Sequence, residues 1–367
     1  MNEPAIPESS NVVRPEPVDS ATYTPSSRLQ AAGLAPAIAL FEQAAAAVPL
    51  PKQPYPIVIA DYGAATGHNS LLPMSAAIAT IRGRTRPEHA ILVTHTDLPG
   101  NDFTALFNTL ADDPDSYLNK DAASFASAIG RWFYAQILPS NSVTLGWTSW
   151  ATMWLSRAPI ELADHVQVAY SGDEAAQAAY ARQAAQDWQA FLAFRGRELS
   201  TGGRLVVLTM AVGDDGEFGY RPLVDAIVAA LGDQVRNGLL GEDELRRMTI
   251  PTFARSEKHF RAPFAPKGRF EGMSIEHLEV FNAEDRFWAR FLLDHDGAAF
   301  GAQWAAFARA AVFPVLAAAL DGGPGGPRAN AFIEHLETAV AERLSNAPEQ
   351  MQIPLASVVL VKHGRPH

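Results

Sequence analysis

Two acids and two glycines stand where a small charged ligand could be held. Asp61, Gly63 and Gly67 lie in the run Asp-Tyr-Gly-Ala-Ala-Thr-Gly, between an apolar run and a helical pattern, and Asp97 closes a second apolar run. Glycines let the backbone approach a ligand closely. The dinucleotide fingerprint G-x-G-x-x-G is missing, and no P-loop Lys is present, since His68 and Asn69 follow Gly67. A cofactor without phosphate fits better, with Asp61 taking an ammonium and Asp97 accepting from both hydroxyls of a ribose. An acid after the first strand and another after the second is the usual arrangement for S-adenosylmethionine. Taken alone, these residues also suit a structural glycine turn with two solvated acids.

Other chemistries find less support. The chain has no cysteine, which excludes disulfides, thiol nucleophiles and thiolate metal sites. Its ten histidines form no H-E-x-x-H pattern, and no G-x-S-x-G elbow is present, so neither a metal site nor a serine esterase is expected. His295, between Asp294 and Asp296, reads as a turn. With 29 basic and 40 acidic residues, the net charge of −11 argues against nucleic acid or an anionic membrane as partner.

The elements that position these residues follow from periodicity. Strands are expected at Tyr55 to Ala60, His89 to Thr94, Ser142 to Gly146, Arg204 to Met210 and Leu355 to Val361. Helices are expected at Ala37 to Val48, Ser70 to Ile81, from about Asn101, at Glu174 to Leu199 and at Phe332 to Leu344. Strands alternating with helices imply an α/β fold with a mostly parallel sheet. Residues 219–322 read as mainly helical, broken by Pro251, Pro263 and Pro266, and would cap the C-terminal edge of the sheet. The pentapeptide Ile-Glu-His-Leu-Glu occurs at 275 and again at 333, in surroundings without further similarity.

At this point a specific resemblance emerges. The run from Ile59 to Ser70 resembles A-D-L-G-C-S-S-G-P-N-T of the SABATH carboxyl methyltransferases. Thr96 to Phe103 is similar to the family's N-D-L-P-G-N-D-F. Thr148 to Ser156 resembles S-S-Y-S-L-M-W-L-S, Tyr23 to Gln30 resembles Y-x-x-N-S-x-x-Q, and Gly202 to Leu205 is similar to G-G-R-M. The resemblance implies a Rossmann-like class I methyltransferase sheet with a mainly helical cap. Residues 1–30 would form a lid, 31–215 and 328–367 the cofactor-binding α/β domain, and 216–327, with part of 156–198, the cap.

The resemblance also implies roles. Ser27, Asp61, Gly63, Asn69, Asp97 and Leu98 would contact S-adenosylmethionine, leaving S-adenosylhomocysteine as product, and Phe133 would stack on its adenine. Gln30 and Trp154 would hold a substrate carboxylate, beside Met153, Trp147 and Trp150. Trp132, Trp150, Trp147 and His68 depart from the family's Ser, Tyr, His and Pro. Without that context, Trp147, Trp150 and Trp154 read rather as core aromatics. The expected reaction is methyl-ester formation on a small, flat, apolar carboxylic acid. N-methylation of a purine-like ring and a non-catalytic nucleotide-binding protein are the alternatives. A cytoplasmic enzyme is expected, and a homodimer is compatible with the sequence.

Overall fold

The computed structural model describes residues 34–213 and 216–364. In chain order the elements are α1 Ala35–Ala47, β1 Ile57–Tyr62, α2 His68–Arg82, β2 Ile91–Asp97, α3 Phe103–Asp112, α4 Tyr117–Lys120, β3 Ser124–Gly130, β4 Val143–Ser149, α5 Glu174–Glu198 and β5 Leu199–Met210. Then come α6 Arg221–Arg236, α7 Glu242–Arg247, α8 Glu257–Arg261, β6 Met273–Asn282, α9 Arg286–Asp294, α10 Gly297–Ala311, α11 Phe313–Ala317, α12 Pro327–Asn346 and β7 Pro354–Lys362.

The strands form one seven-stranded sheet in the order β3-β2-β1-β4-β5-β7-β6, parallel except for β7, which runs antiparallel to both its neighbours. Alternation along each strand builds two cores. Ile57, Ile59, Val93, Leu145, Trp147, Val206 and Leu208 face α1, α2 and the helices after β5. Ala60, Tyr62, Leu205, Val207, Val358 and Leu360 face Trp188, Phe191 and Leu192 of α5. The strand order reverses between β1 and β4, and in open α/β sheets the ligand crevice lies outside the carboxyl ends at such a point. Asp61 lies in the last two residues of β1 there, and Trp150 follows β4.

Two strands differ from the expectation. β3, Ser-Phe-Ala-Ser-Ala-Ile-Gly, is an edge strand of small residues whose side chains are mostly half-buried, so it carries no strong apolar alternation. β6 lies inside the stretch expected to be a helical cap and forms the other edge. The cap is also less separate than expected: Phe300 and Trp304 of α10, and Leu336 and Val340 of α12, join Val206 and Leu208 of the sheet in the first core. Among the described residues no helix is long and apolar enough to cross a membrane. His295 ends α9 in the left-handed region, φ 53°, as a turn residue does.

Candidate functional site

The glycine turn is built by its own backbone. Gly63 and Gly67 take φ of 87° and 86°, a region that disfavours side chains. The Gly63 N–H donates to the Thr96 carbonyl at 2.8 Å, which hooks the turn to the end of β2. Asp97 completes the hook, its Oδ2 accepting from the Ala65 N–H at 2.8 Å and its Oδ1 from the Leu98 N–H at 2.7 Å. The Asn101 amide donates to the Ala65 carbonyl at 2.8 Å, while its buried Oδ1 has no partner among the described residues. Asp102 then caps α3 through the Ala105 N–H. Asp97 and Asn101 therefore hold the turn, and Asp102 the next helix. A carboxylate offers about four lone-pair sites, more than the two backbone donors named at Asp97 fill.

Asp61 is 2% exposed, and its Oδ2 accepts from the Ser70 hydroxyl at 2.5 Å and bonds His95 Nδ1 at 2.8 Å. His95 is itself fully buried, and its Nε2 meets the Tyr117 hydroxyl at 2.9 Å. Burial, then the Asp61 charge, pushes the Tyr117 phenol well above its usual range, so it keeps its proton. A phenol donating to Nε2 leaves Nδ1 as the donor to Asp61. Asn69 is half-buried in the first turn of α2, and Leu98 half-buried after β2.

Phe133 lies on the loop from β3 to β4, tied to the end of β2 by the Arg131 N–H donating to the Asp97 carbonyl at 2.8 Å. Its ring packs 4.6 Å from Tyr134 and edge-on to Phe191. The loop rests on two fully buried charges of α5. Arg195 donates to the Phe133 and Ala135 carbonyls, both at 2.8 Å, and to Glu198 at 2.9 Å. Glu198 accepts from the Ile137 and Leu138 N–H groups and from the Tyr62 hydroxyl. Such a pair is stable only when its remaining donors and acceptors are met, and these bonds largely meet them.

The turn after β4 carries the expected acid-binding residues. Trp150 sits at φ 57°, rare for a bulky residue, with its N–H on the Leu208 carbonyl. The turn is held from behind by the Phe253 N–H on the Met153 carbonyl, and by the Ser156 N–H on Asp187. Arg255, buried, donates to the carbonyls of Thr152 and Ala184, and Tyr134 donates its hydroxyl to the Trp154 carbonyl at 2.6 Å. The indole N–H groups of Trp147, Trp150 and Trp154 are all buried, and none has a hydrogen-bond partner among the described residues. The Trp132 and Trp304 indoles are likewise unmet among the described residues, so it is their place on the turn after β4 that sets Trp150 and Trp154 apart. Trp147 differs from the other two, being wholly enclosed and packed on Phe41 of α1 at 4.9 Å.

Asp61, Gly63, Asn69, Asp97, Leu98, Phe133, Trp147, Trp150, Met153 and Trp154 thus fall on four segments at one end of the sheet. Ser27, Gln30 and the lid of residues 1–30 lie outside the described residues. His95, Arg195, Glu198 and Arg255 carried no motif signal in the sequence. Arg255 follows Pro251 in a stretch without periodicity, and only its contacts place it under the turn.

A sequence profile of the SAM dependent carboxyl methyltransferase family matches residues 13–363. Salicylate carboxymethyltransferase of Clarkia breweri is 28% identical over 253 residues, covering 66% of this chain and 67% of that protein. Indole-3-acetate O-methyltransferase 1 of Oryza sativa subsp. japonica is 30% identical, covering 60% and 61%. A probable caffeine synthase of Coffea canephora is 29% identical, covering 65% and 66%. The chain thus aligns with about two thirds of the length of these relatives. A solved structure described as loganic acid methyltransferase with SAH superposes with a TM-score of 0.71 at 20% identity, covering 96% of this chain and 99% of that one.

Proposed function

Because this chain belongs to the SAM-dependent carboxyl methyltransferase family, we propose that it forms methyl esters of small, flat, largely apolar carboxylic acids of the benzoate, salicylate or indole-acetate type. The observation that carries this reading is the buried indole N–H of Trp154, without a partner among the described residues, beside that of Trp150 on the same turn. A carboxylate oxygen is the acceptor such a donor lacks.

The cofactor supplies a methyl group on a sulfonium, an electrophile that needs no further activation. The chain's residues fit it: a left-handed glycine turn open to close approach, Asp61 for the ammonium, Asp97 for the ribose and Phe133 for the adenine. A carboxylic acid with a pKa near 4 is already ionised at neutral pH, so no general base is required. The residues then have one task, to hold the attacking oxygen in line with the methyl carbon. Orientation of this kind supplies roughly 7–11 kcal/mol of a barrier. Neutral indole donors orient the anion without the ground-state stabilisation that a direct guanidinium clamp would bring. Arg255 stays behind the turn, directed at the Thr152 and Ala184 carbonyls and at the Tyr134 hydroxyl.

The test offers benzoate, indole-acetate, a dicarboxylate and a xanthine with labelled cofactor and identifies the products by mass spectrometry. Monocarboxylate methyl esters are expected. The dicarboxylate should be poor, since a second unpaired anion in this pocket costs several kcal/mol. A methyl on a xanthine nitrogen, with no ester formed, would overturn the reading.

A further inference from the structure

We infer that the Tyr134 hydroxyl joins the two ends of the site, so that filling the adenine side orders the turn that carries Trp154. Tyr134 is a neighbour of Phe133 in the chain, and its hydroxyl donates to the Trp154 carbonyl at 2.6 Å. Its phenol is pushed well above the ordinary range by burial, so the donor is never lost to ionisation. The backbone on either side of it is tied to α5, because Arg195 takes the carbonyls of both Phe133 and Ala135.

The acid-binding turn hangs from the same helix by other residues. Asp187 of α5 accepts the Ser156 N–H, and the Ala184 carbonyl of α5 accepts from Arg255, which also holds Thr152. α5 is therefore a common spine, with the adenine loop attached near Arg195 and the acid turn near Asp187. The Tyr134–Trp154 bond closes the third side of this triangle. A ligand that stills the loop stills the tyrosine, and the tyrosine then fixes the backbone from which the Trp154 indole projects. Ordering already done by one ligand need not be done again by the next, which is positive coupling without a large movement. Tyr134 acts here as a positioning residue.

The inference rests on placing the adenine at Phe133. Its test needs no substrate, only S-adenosylhomocysteine as probe. Amide hydrogen exchange is followed by peptide in residues 131–138 and 150–156, with β1 and β4 as internal reference, in the wild type and in Tyr134→Phe. In the wild type the probe should slow exchange about fivefold or more in both segments. In Tyr134→Phe the first segment should still be slowed and the second no longer, while the reference strands are unchanged. If both segments remain equally slowed in the variant, the hydroxyl is not the link and the inference falls. If the wild-type turn never responds although 131–138 does, coupling is absent but the adenine placement stands. If 131–138 does not respond while the Gly63 turn does, the adenine placement fails and takes the inference with it.

Discussion

At the scale of single residues, the site is a set of donors waiting for an acceptor. Trp154 is 3% exposed, yet its indole N–H meets no acceptor among the described residues. Replacing it by Phe keeps the bulk and removes the donor. A hydrogen bond to a charged partner is worth roughly 1.5–3 kcal/mol, so Trp154→Phe should lower kcat/KM for a methylated acid by about one to two orders of magnitude. The melting temperature should hardly move, because no internal bond is lost. Steady-state kinetics that match the wild type would remove Trp154 from the acid site. Much of this constellation was legible beforehand, since Asp61, Asp97 and Trp154 belong to motifs with fixed spacing. His95 and Arg255 were not. Their roles arise from contacts across 34 residues, His95 to Asp61, and 103 residues, Arg255 to Thr152, which no local pattern records.

Elements show most plainly what sequence can and cannot carry. Ile-Glu-His-Leu-Glu is strand at 275–279 in β6 and helix at 333–337 in α12. In α12 it sits within twenty residues of helical pattern whose Phe332, Leu336 and Val340 recur every fourth position and are buried together. In β6 the same letters pair with β7 through a bulge between Ile275 and His277, and the partner strand decides. Propensity is a weak prior that tertiary pairing overrides. That is why β6 was hidden in a stretch that read as helical, whereas β1, β2 and β5, buried on both faces, announced themselves as continuous apolar runs. The glycine turn between β1 and α2 is the opposite case, because local chemistry alone dictates it. At Gly67 a Cβ would stand 2.6 Å from Leu106 Cδ1, and φ is 86°. Gly67→Ala should therefore destabilise the fold by about 1–3 kcal/mol in denaturant unfolding and weaken S-adenosylhomocysteine binding in calorimetry. Leu106→Ala in the same chain should relieve the crowding but leave the backbone strain. An unaltered unfolding midpoint for Gly67→Ala would contradict this account.

Across the whole molecule, the helices beyond β5 are fastened to one another through Glu244. Its carboxylate accepts from Arg328 at 2.5 and 2.7 Å and from the Asp321 and Gly241 N–H groups, linking α7 to the start of α12. Arg328 first, and then these backbone donors, hold its pKa at about 2, below the ordinary 4.5. For an acid whose folded value is depressed, the stabilisation is complete above the unfolded pKa and is lost as pH falls through the folded one. Glu244 should thus support the fold above about pH 4.5 and progressively cease to do so towards pH 2. Since Arg328 is half exposed, the contribution is about 1–2 kcal/mol after allowance for solvent screening. Urea unfolding at pH 7 and pH 3 should show Glu244→Gln costing less at the lower pH, and an equal cost at both would refute the assignment. A different consequence follows from where α9 to α12 lie. They separate β6 from β7, which are paired neighbours, and β7 is also the strand that fills the gap beside β5. Ribosomes add about 5–20 residues per second, so the stretch between these two strands takes several seconds to emerge. Throughout that interval β5, with Leu205 to Leu208 all apolar, has an open edge of the kind that recruits other chains. During synthesis, the nascent sheet must be shielded until its keystone strand arrives.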